Sequence, residues 1–171
     1  MRSLLVVAAC LAAAALHAQV PQTADPGQIP NYKLIAPGIA AAGQPATEAL
    51  TKLGSLGFKT VINLRAAGEG GPANEQELVE SQGLRYVSVP VTAASFSLAD
   101  VLAVEKVVSD PAAGPVLFHC ASANRVGGVW AAVLARRGQG LDEALARGRE
   151  AGLTGAAMEA AVKRVLAAPS P

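Results

Sequence analysis

The most informative segment of this chain is residues 116–130, VLFHCASANRVGGVW. Its apolar beginning predicts a strand that ends at His119, and Cys120 follows directly. Small and polar residues come next, and Arg125 stands where a helix is expected to begin. The segment therefore predicts a strand, a short loop that starts with a cysteine, and a helix.

A loop of this kind suits a thiolate nucleophile that acts on an oxyanion. Consecutive backbone N–H groups form a concave anion site, and the end of the helix adds partial positive charge. The same field favours the thiolate form of a cysteine. An arginine such as Arg125 can hold an oxyanion through two parallel hydrogen bonds, which lysine cannot do. A lone cysteine is often only a small core residue, but its combination with His119 and Arg125 favours a site of oxyanion transfer at Cys120.

The first 18 residues are expected to be a secretory signal peptide. Arg2 supplies positive charge, residues 4–16 form an uninterrupted apolar run, and Ala18 precedes a plausible cleavage point. Thirteen apolar residues are too few to span a bilayer. Residues 19–30 are rich in proline and polar residues and predict a linker. We therefore expect an exported protein, periplasmic or secreted, with one domain over residues 31–168.

Charge and cysteine content restrict the classes of partner and site. The chain has 14 basic and 13 acidic residues, and removal of Arg2 with the signal would make the two numbers equal. Such a balance gives no reason to expect nucleic acid or a membrane as a partner. Cys10 would also be removed, which leaves Cys120 alone and excludes an internal disulfide and a structural zinc site. No metal or cofactor is expected.

Strand and helix patterns alternate along the chain. Strands are predicted at residues 32–35, 39–42, 59–64, 84–89 and 115–119, and helices at about 47–56, 74–82, 97–108, 126–136, 141–151 and 154–167. This alternation predicts an α/β fold with a mostly parallel central sheet flanked by helices and a helical C-terminal end. Ligands gather at the carboxyl ends of the strands of such sheets. His119 and Cys120 lie at one such end, and Arg65 follows another.

Four segments together resemble a known family. They are GQP at 43–45, GFKTVINLR at 57–65, GLRYVSVPV at 83–91 and HCASANRVG at 119–127. In combination they are similar to the phosphatase-like domain of beta-lactamase-hydrolase-like proteins, a branch of the dual-specificity, tyrosine-phosphatase-like superfamily. The resemblance covers about residues 31–167 and implies a cysteine-phosphatase-like fold.

The resemblance also implies roles for individual residues. Cys120 would be the nucleophile, Arg125 the oxyanion clamp, and His119 a brace for the loop that helps to hold the thiolate. The substrate would be a small oxyanion or phosphoester. Its anion would be cradled by the backbone of the loop and contacted by one further arginine; these substrate-binding residues would be Ala121, Ser122, Ala123, Asn124, Val126 and Arg65. Ser122 or Asn124 would hydrogen-bond the leaving group or the thiolate, and a structural ion pair is the alternative for Arg65.

Three features depart from the tyrosine-phosphatase pattern. Four residues separate Cys120 from Arg125, where that pattern has five. Ala123 stands where glycine is usual, at a cost of about 1 kcal/mol if the position needs a positive φ. The segment that normally carries the general acid, residues 90–96, contains no carboxylate. Asp100 is expected to cap a helix, which leaves Glu69 and Glu75 as candidate acids.

The sequence leaves three functions open. The first is a cysteine-dependent phosphatase-like hydrolase that acts through a phosphocysteine intermediate. The second is a rhodanese-like sulfurtransferase that carries a persulfide on Cys120, since rhodaneses share the six-residue loop from Cys to Arg and need no general acid. The third is a non-catalytic module that binds an oxyanion. Only helical segments follow Arg136, which favours the phosphatase over the rhodanese.

Overall fold

The computed structural model describes residues 28–168, and this part of the chain forms five strands and six helices. In chain order they are β1 (Lys33–Ala36), β2 (Ile39–Ala42), α1 (Thr47–Leu50), β3 (Thr60–Asn63), α2 (Glu75–Glu80), β4 (Arg85–Ser88), α3 (Leu98–Val108), β5 (Val116–His119), α4 (Asn124–Arg136), α5 (Leu141–Glu150) and α6 (Ala156–Ala167). The predicted alternation is confirmed. Each observed element begins and ends within a few residues of its predicted range except α1, which ends at Leu50, six residues earlier than predicted.

The strands form a single sheet in the order β1-β2-β5-β3-β4. The pairs β2–β5, β5–β3 and β3–β4 are parallel, and only the edge pair β1–β2 is antiparallel. The prediction of a mostly parallel sheet is therefore confirmed. Because β5 is the central strand, the segment that follows it lies in the middle of the sheet's carboxyl edge.

Helices cover both faces of the sheet. Strand side chains alternate between the faces, so that Ile62 and Phe118 pack with α3, α4, α5 and α6. Val61 and Leu117 point the other way and pack with α1 and α2. The strands are thus buried on both sides, as expected for a parallel sheet between helical layers.

The start of α4 is fixed by a close contact with the C-terminal end of α5 and the segment that follows it. A Cβ added at Gly127 would lie 2.2 Å from the backbone nitrogen of Leu153 and 2.4 Å from the carbonyl oxygen of Gly148. Only glycine allows the two backbones to approach this closely. The helix turn that carries Arg125 is consequently clamped against α5 and the segment after it.

The folded domain begins earlier than the sequence predicted. Ile29, assigned to the linker, is 1% exposed and packs in the core between the sheet and α1. The carbonyls of Gln28 and Pro30 accept hydrogen bonds from Ala46 and Gly43. The predicted signal peptide and residues 19–27 lie outside the described residues. None of the helices within residues 28–168 has the length and apolar character needed to cross a membrane.

Candidate active site

The predicted site lies at the carboxyl end of β5. His119 is the last residue of that strand and is fully buried. It is in register with Ala42 at the end of β2 and with Asn63 at the end of β3. Three strand ends therefore meet around His119, at the edge of the sheet where ligands of this fold class bind.

Cys120 begins the loop that leads into α4, and its side chain is 1% exposed. The loop is held at its outer edge by the GQP segment. Ser122 and Gly43 form an isolated antiparallel bridge. The N–H of Gln44 donates to the carbonyl of Ala121 at a distance of 3.1 Å. The GQP segment therefore supports the cysteine loop.

Ala123, which stands where the tyrosine-phosphatase pattern usually has glycine, adopts the left-handed backbone conformation that glycine favours. Its φ is +69°, and its side chain is fully buried. A residue with a Cβ costs about 1–2 kcal/mol in this conformation. The loop therefore holds a strained alanine immediately before α4.

We expect Ala123→Gly to change the free energy of unfolding by less than about 0.5 kcal/mol. Relief of the backbone strain, about 1 kcal/mol, offsets the loss of a buried methyl group, about 0.8 kcal/mol. Ala131→Gly is the matched control, because Ala131 is equally buried but lies within α4. At Ala131 the change to glycine lowers helix propensity and also removes a buried methyl group. The free energy of unfolding should therefore fall by about 2 kcal/mol. Urea unfolding measures both; equal losses would contradict the strain at Ala123.

Asn124 supports α6 in this structure. Its Oδ1 accepts hydrogen bonds from the backbone N–H groups of Thr154 and Gly155, at 2.9 and 2.8 Å. Gly155 is the residue that precedes α6, so Asn124 acts as a cap supplied from another part of the chain. The side-chain oxygen of Asn124 is thus already occupied by these two hydrogen bonds. Contact of Asn124 with the substrate or the thiolate stays a prediction. The same holds for the backbone amides of residues 121–126.

Arg125 lies in the first turn of α4, and its guanidinium donates hydrogen bonds to two backbone carbonyls and to one carboxylate. Nη1 donates to the carbonyl oxygens of Leu64 (3.3 Å) and Val91 (3.1 Å), which lie just beyond β3 and β4. Nη1 and Nη2 also donate to the two carboxylate oxygens of Glu69, at 2.6 and 2.5 Å. Arg125 therefore already holds a planar oxyanion in the bidentate geometry typical of arginine.

The contact between Arg125 and Glu69 fixes the charge of both groups. Hydrogen bonding to Arg125 lowers the pKa of Glu69 to about 2. The hydrogen bond to Glu69 and, to a smaller extent, the neighbouring Cys120 raise the pKa of Arg125. At neutral pH Glu69 is thus an anion, and the same guanidinium faces both this carboxylate and Cys120.

A second carboxylate, Glu75, lies buried beside His119 and is the centre of a polar network. It accepts hydrogen bonds from Gln44 Nε2 (2.6 Å), Asn63 Nδ2 (3.1 Å) and the hydroxyl of Tyr86 (3.2 Å). His119 Nε2 lies 2.9 Å from Glu75 Oε1. Burial raises the pKa of Glu75, but its contacts with these partners outweigh burial and lower the pKa overall.

Arg65 belongs to the same network. Its side chain is 7% exposed, donates to Gln44 Oε1, and lies 3.7 Å from Glu75 Oε2. Gly71 closes over it: its φ is +112°, and a Cβ there would lie 2.6 Å from Arg65 Nη1. Of the two roles that the sequence left open, these contacts are those of a structural ion pair. A contact of Arg65 with substrate stays a prediction.

We expect Glu75→Gln to lower the free energy of unfolding by about 3 kcal/mol, because it leaves Arg65 buried without its counter-ion. Glu77→Gln, an exposed position on the same helix, should change it by less than about 0.5 kcal/mol. Urea unfolding at neutral pH measures both. The pKa of Glu75 is lower in the folded state than in the unfolded state. The difference in free energy of unfolding between the wild type and Glu75→Gln should therefore be fully present above the unfolded pKa of about 4.3, and it should shrink as the pH falls below that value. A loss that is independent of pH would contradict the ionic role of Glu75.

The carboxylates discussed as general acids all have other partners. Asp100 forms the predicted capping box with Ser97 at the start of α3, which is confirmed. Glu75 is enclosed in the network, and Glu69 is paired with Arg125. Thr92 and Ser95 bond to one another in the segment that usually carries the acid. The site therefore presents one carboxylate, Glu69, directly to the guanidinium beside Cys120.

Sequence reasoning did not find the partners of Glu75. Gln44, Asn63 and Tyr86 come from three separate segments, and no local pattern links them. One signal was available: Asn63 is a polar residue in the otherwise apolar strand VINL, at its carboxyl end. A buried polar group at that position requires a partner.

A buried cysteine after the central parallel strand, an arginine in the first turn of the next helix and a sheet between helical layers define a cysteine-phosphatase-like domain. Comparison with known families identifies it further. The model of the phosphatase-like domain of beta-lactamase hydrolase-like proteins matches residues 31–137. The chain belongs to this family.

Curated relatives are similar to part of the chain. A beta-lactamase hydrolase-like protein of Xylella fastidiosa strain Temecula1 is 36% identical over 91 residues, which are 51% of this chain and 21% of the relative. The protein of the same name from Agrobacterium fabrum strain C58 is 34% identical over 113 residues, 64% of this chain and 25% of the relative. The chain thus spans about a quarter or less of the length of these relatives.

Solved structures confirm the fold. A DUF442 protein from Shewanella putrefaciens CN-32 is similar with a TM-score of 0.68 at 21% identity, over 83% of this chain and 95% of that one. TpbA from P. aeruginosa gives 0.63 at 22% identity, over 85% and 87%. The core catalytic domain of the PP-IP phosphatase SIW14 from S. cerevisiae gives 0.63 at 18% identity, over 78% and 83%. At these identities the likeness concerns the fold.

Proposed function

We propose that the protein hydrolyses phosphoesters through a phosphocysteine intermediate on Cys120. The observation that carries this proposal is the bidentate hold of Arg125 on the carboxylate of Glu69, next to Cys120. A phosphoryl group presents a similar pair of oxygens to a guanidinium. Membership of a phosphatase-like family supports the same chemistry.

In the first step the Cys120 thiolate attacks phosphorus, and the bond from phosphorus to the leaving-group oxygen breaks. The leaving group departs with the electron pair. Arg125 and the backbone amides of the loop stabilise the charge on the transferring group. In the second step water attacks the phosphocysteine, loses a proton, and releases phosphate and the Cys120 thiolate.

Turnover is expected to depend strongly on the leaving group. Residues 90–96 offer no carboxylate to protonate it, and a general acid typically contributes about 10²–10⁴-fold. Aryl phosphates with acidic phenols should be hydrolysed, whereas alkyl phosphates should be hydrolysed about 10²-fold more slowly or slower still. Steady-state kinetics across a series of phenols measures this. Equal rates for aryl and alkyl esters would show that another group acts as the acid.

Sulfur transfer is the alternative that the six-residue loop from Cys120 to Arg125 supports. A persulfide on Cys120 would need no general acid. Exposure of the protein to thiosulfate, followed by intact mass measurement, separates the two functions. A stable gain of one sulfur atom at Cys120, without hydrolysis of aryl phosphates, would replace the proposed phosphatase by a sulfurtransferase.

A further inference from the structure

Glu69 has no part in the two steps described above, yet it is the carboxylate that the structure presents to the reacting group. It lies on the glycine-rich segment between β3 and α2, and it contacts the guanidinium that also faces Cys120. Its side chain is 31% exposed, compared with 14% for Arg125. A ligand that approaches Arg125 from solvent therefore meets Glu69 first.

Arg125 and Glu69 are each held by other hydrogen bonds, so both side chains can stay in place when the contact between them breaks. Arg125 keeps its hydrogen bonds to the carbonyls of Leu64 and Val91. Glu69 Oε1 also accepts a hydrogen bond from the backbone N–H of Ala66, at 2.8 Å. A phosphoryl group that takes the guanidinium would leave the carboxylate tethered by Ala66, still close to the reacting group.

The segment around Glu69 has room for such a displacement. Gly68 has a φ of +86°, and nothing lies within 4 Å of a Cβ added at Gly68 or Gly70. The segment itself lines an open cavity of about 550 Å³, together with Arg65 and Tyr86. The carboxylate can therefore move aside within the existing fold.

We infer that Glu69 is a catalytic residue with two successive roles. It occupies Arg125 until the phosphoryl group of the substrate displaces it, and it then accepts the proton of the water that hydrolyses phosphocysteine. This inference rests on the function proposed above and concerns its second step.

The charge state of Glu69 suits a base and not an acid. Hydrogen bonding to Arg125 lowers the pKa of Glu69 to about 2 in the resting site, so the carboxylate enters the reaction without a proton to donate to the leaving group. Displacement from Arg125 removes the main cause of this low pKa, so the released carboxylate is a stronger base. In the second step the attacking water gives its proton to Glu69 as the oxygen–phosphorus bond forms, while the phosphorus–sulfur bond breaks and its electrons return to Cys120. The proton then passes to solvent.

Glu69→Gln is expected to affect binding and turnover in opposite directions. The Glu69 carboxylate competes with phosphate for the guanidinium of Arg125. Its replacement by an uncharged amide should therefore lower the Kd for inorganic phosphate roughly threefold to tenfold. Loss of the base should slow the second step by about 10²-fold. With p-nitrophenyl phosphate, the variant should give a rapid burst of one p-nitrophenol per site, then slow turnover, with phosphocysteine accumulating on Cys120.

Calorimetry with phosphate and stopped-flow kinetics measure the two effects, with Glu77→Gln as the matched control that should behave as the wild type. If Glu69 only held Arg125 in place, Glu69→Gln would bind phosphate more weakly and lose the burst; that result, or wild-type behaviour, overturns the inference. Failure of the proposed function looks different. In that case the wild type itself forms no phosphocysteine: either it does not hydrolyse the ester, or Cys120→Ser hydrolyses it as well.

Discussion

Cys120→Ser is expected to lower kcat/KM for an aryl phosphate by about 10⁴-fold or more, because a serine hydroxyl is a far weaker nucleophile than a thiolate. Cys120 is the only cysteine in residues 28–168, and it lies next to Arg125. Serine is close to cysteine in size, so the loop should keep its shape. Steady-state hydrolysis of p-nitrophenyl phosphate measures the loss.

Phosphate binding provides the control for Cys120→Ser. Arg125 keeps its contacts with Leu64 and Val91 in the variant, so the Kd for inorganic phosphate should stay within about threefold of the wild-type value, less than 1 kcal/mol. A variant that neither binds phosphate nor hydrolyses the ester has lost its structure, and substantial remaining hydrolysis would exclude Cys120 as the nucleophile.

Arg125→Lys is expected to lower kcat/KM by about 10²–10³-fold, although the charge is retained. Loss of one preorganised donor to a developing oxyanion has an effect of this size. Lysine is a point charge and cannot offer the two parallel N–H groups that now reach Glu69 at 2.6 and 2.5 Å. The effect should appear mainly in kcat, because the donors act most strongly on the charge of the transition state.

Arg147→Lys is the matched control for Arg125→Lys. Arg147 is exposed and pairs with Glu150 one turn along α5, so its replacement should leave kcat/KM unchanged. A similar loss in both variants would point to a general effect on the protein. An Arg125→Lys variant with full activity would show that bidentate binding by Arg125 is not used in the reaction.

The fold could be predicted from the sequence because each element carries its own local pattern. The apolar run before His119, the Ser97 cap and the glycines after helices are signals within a few residues of the structures they specify. Ile29 shows the limit of this reasoning. It follows a segment rich in proline, and only its tertiary position between the sheet and α1 reveals that it is part of the core.

The candidate site was predictable only where its residues are close in sequence. Cys120 and Arg125 belong to one segment, and their proximity follows from the turn into α4. Glu69 reaches Arg125 across 56 residues, and Asn124 reaches Thr154 across 30. Glu75 stands in the first turn of a short helix, where a carboxylate is usually solvated; its burial depends on side chains from separate strands. Such contacts are set by the assembled sheet and leave no local signal.

The most direct test of the proposed reaction is the covalent state of Cys120 during turnover. An acidic phenol leaves without assistance, so hydrolysis of phosphocysteine should limit the rate with p-nitrophenyl phosphate. The wild-type protein, quenched in acid during turnover and digested, should yield the peptide that contains Cys120 with one added phosphoryl group. Turnover with an unmodified Cys120 peptide, or with the phosphoryl group on another residue, would contradict a phosphocysteine mechanism.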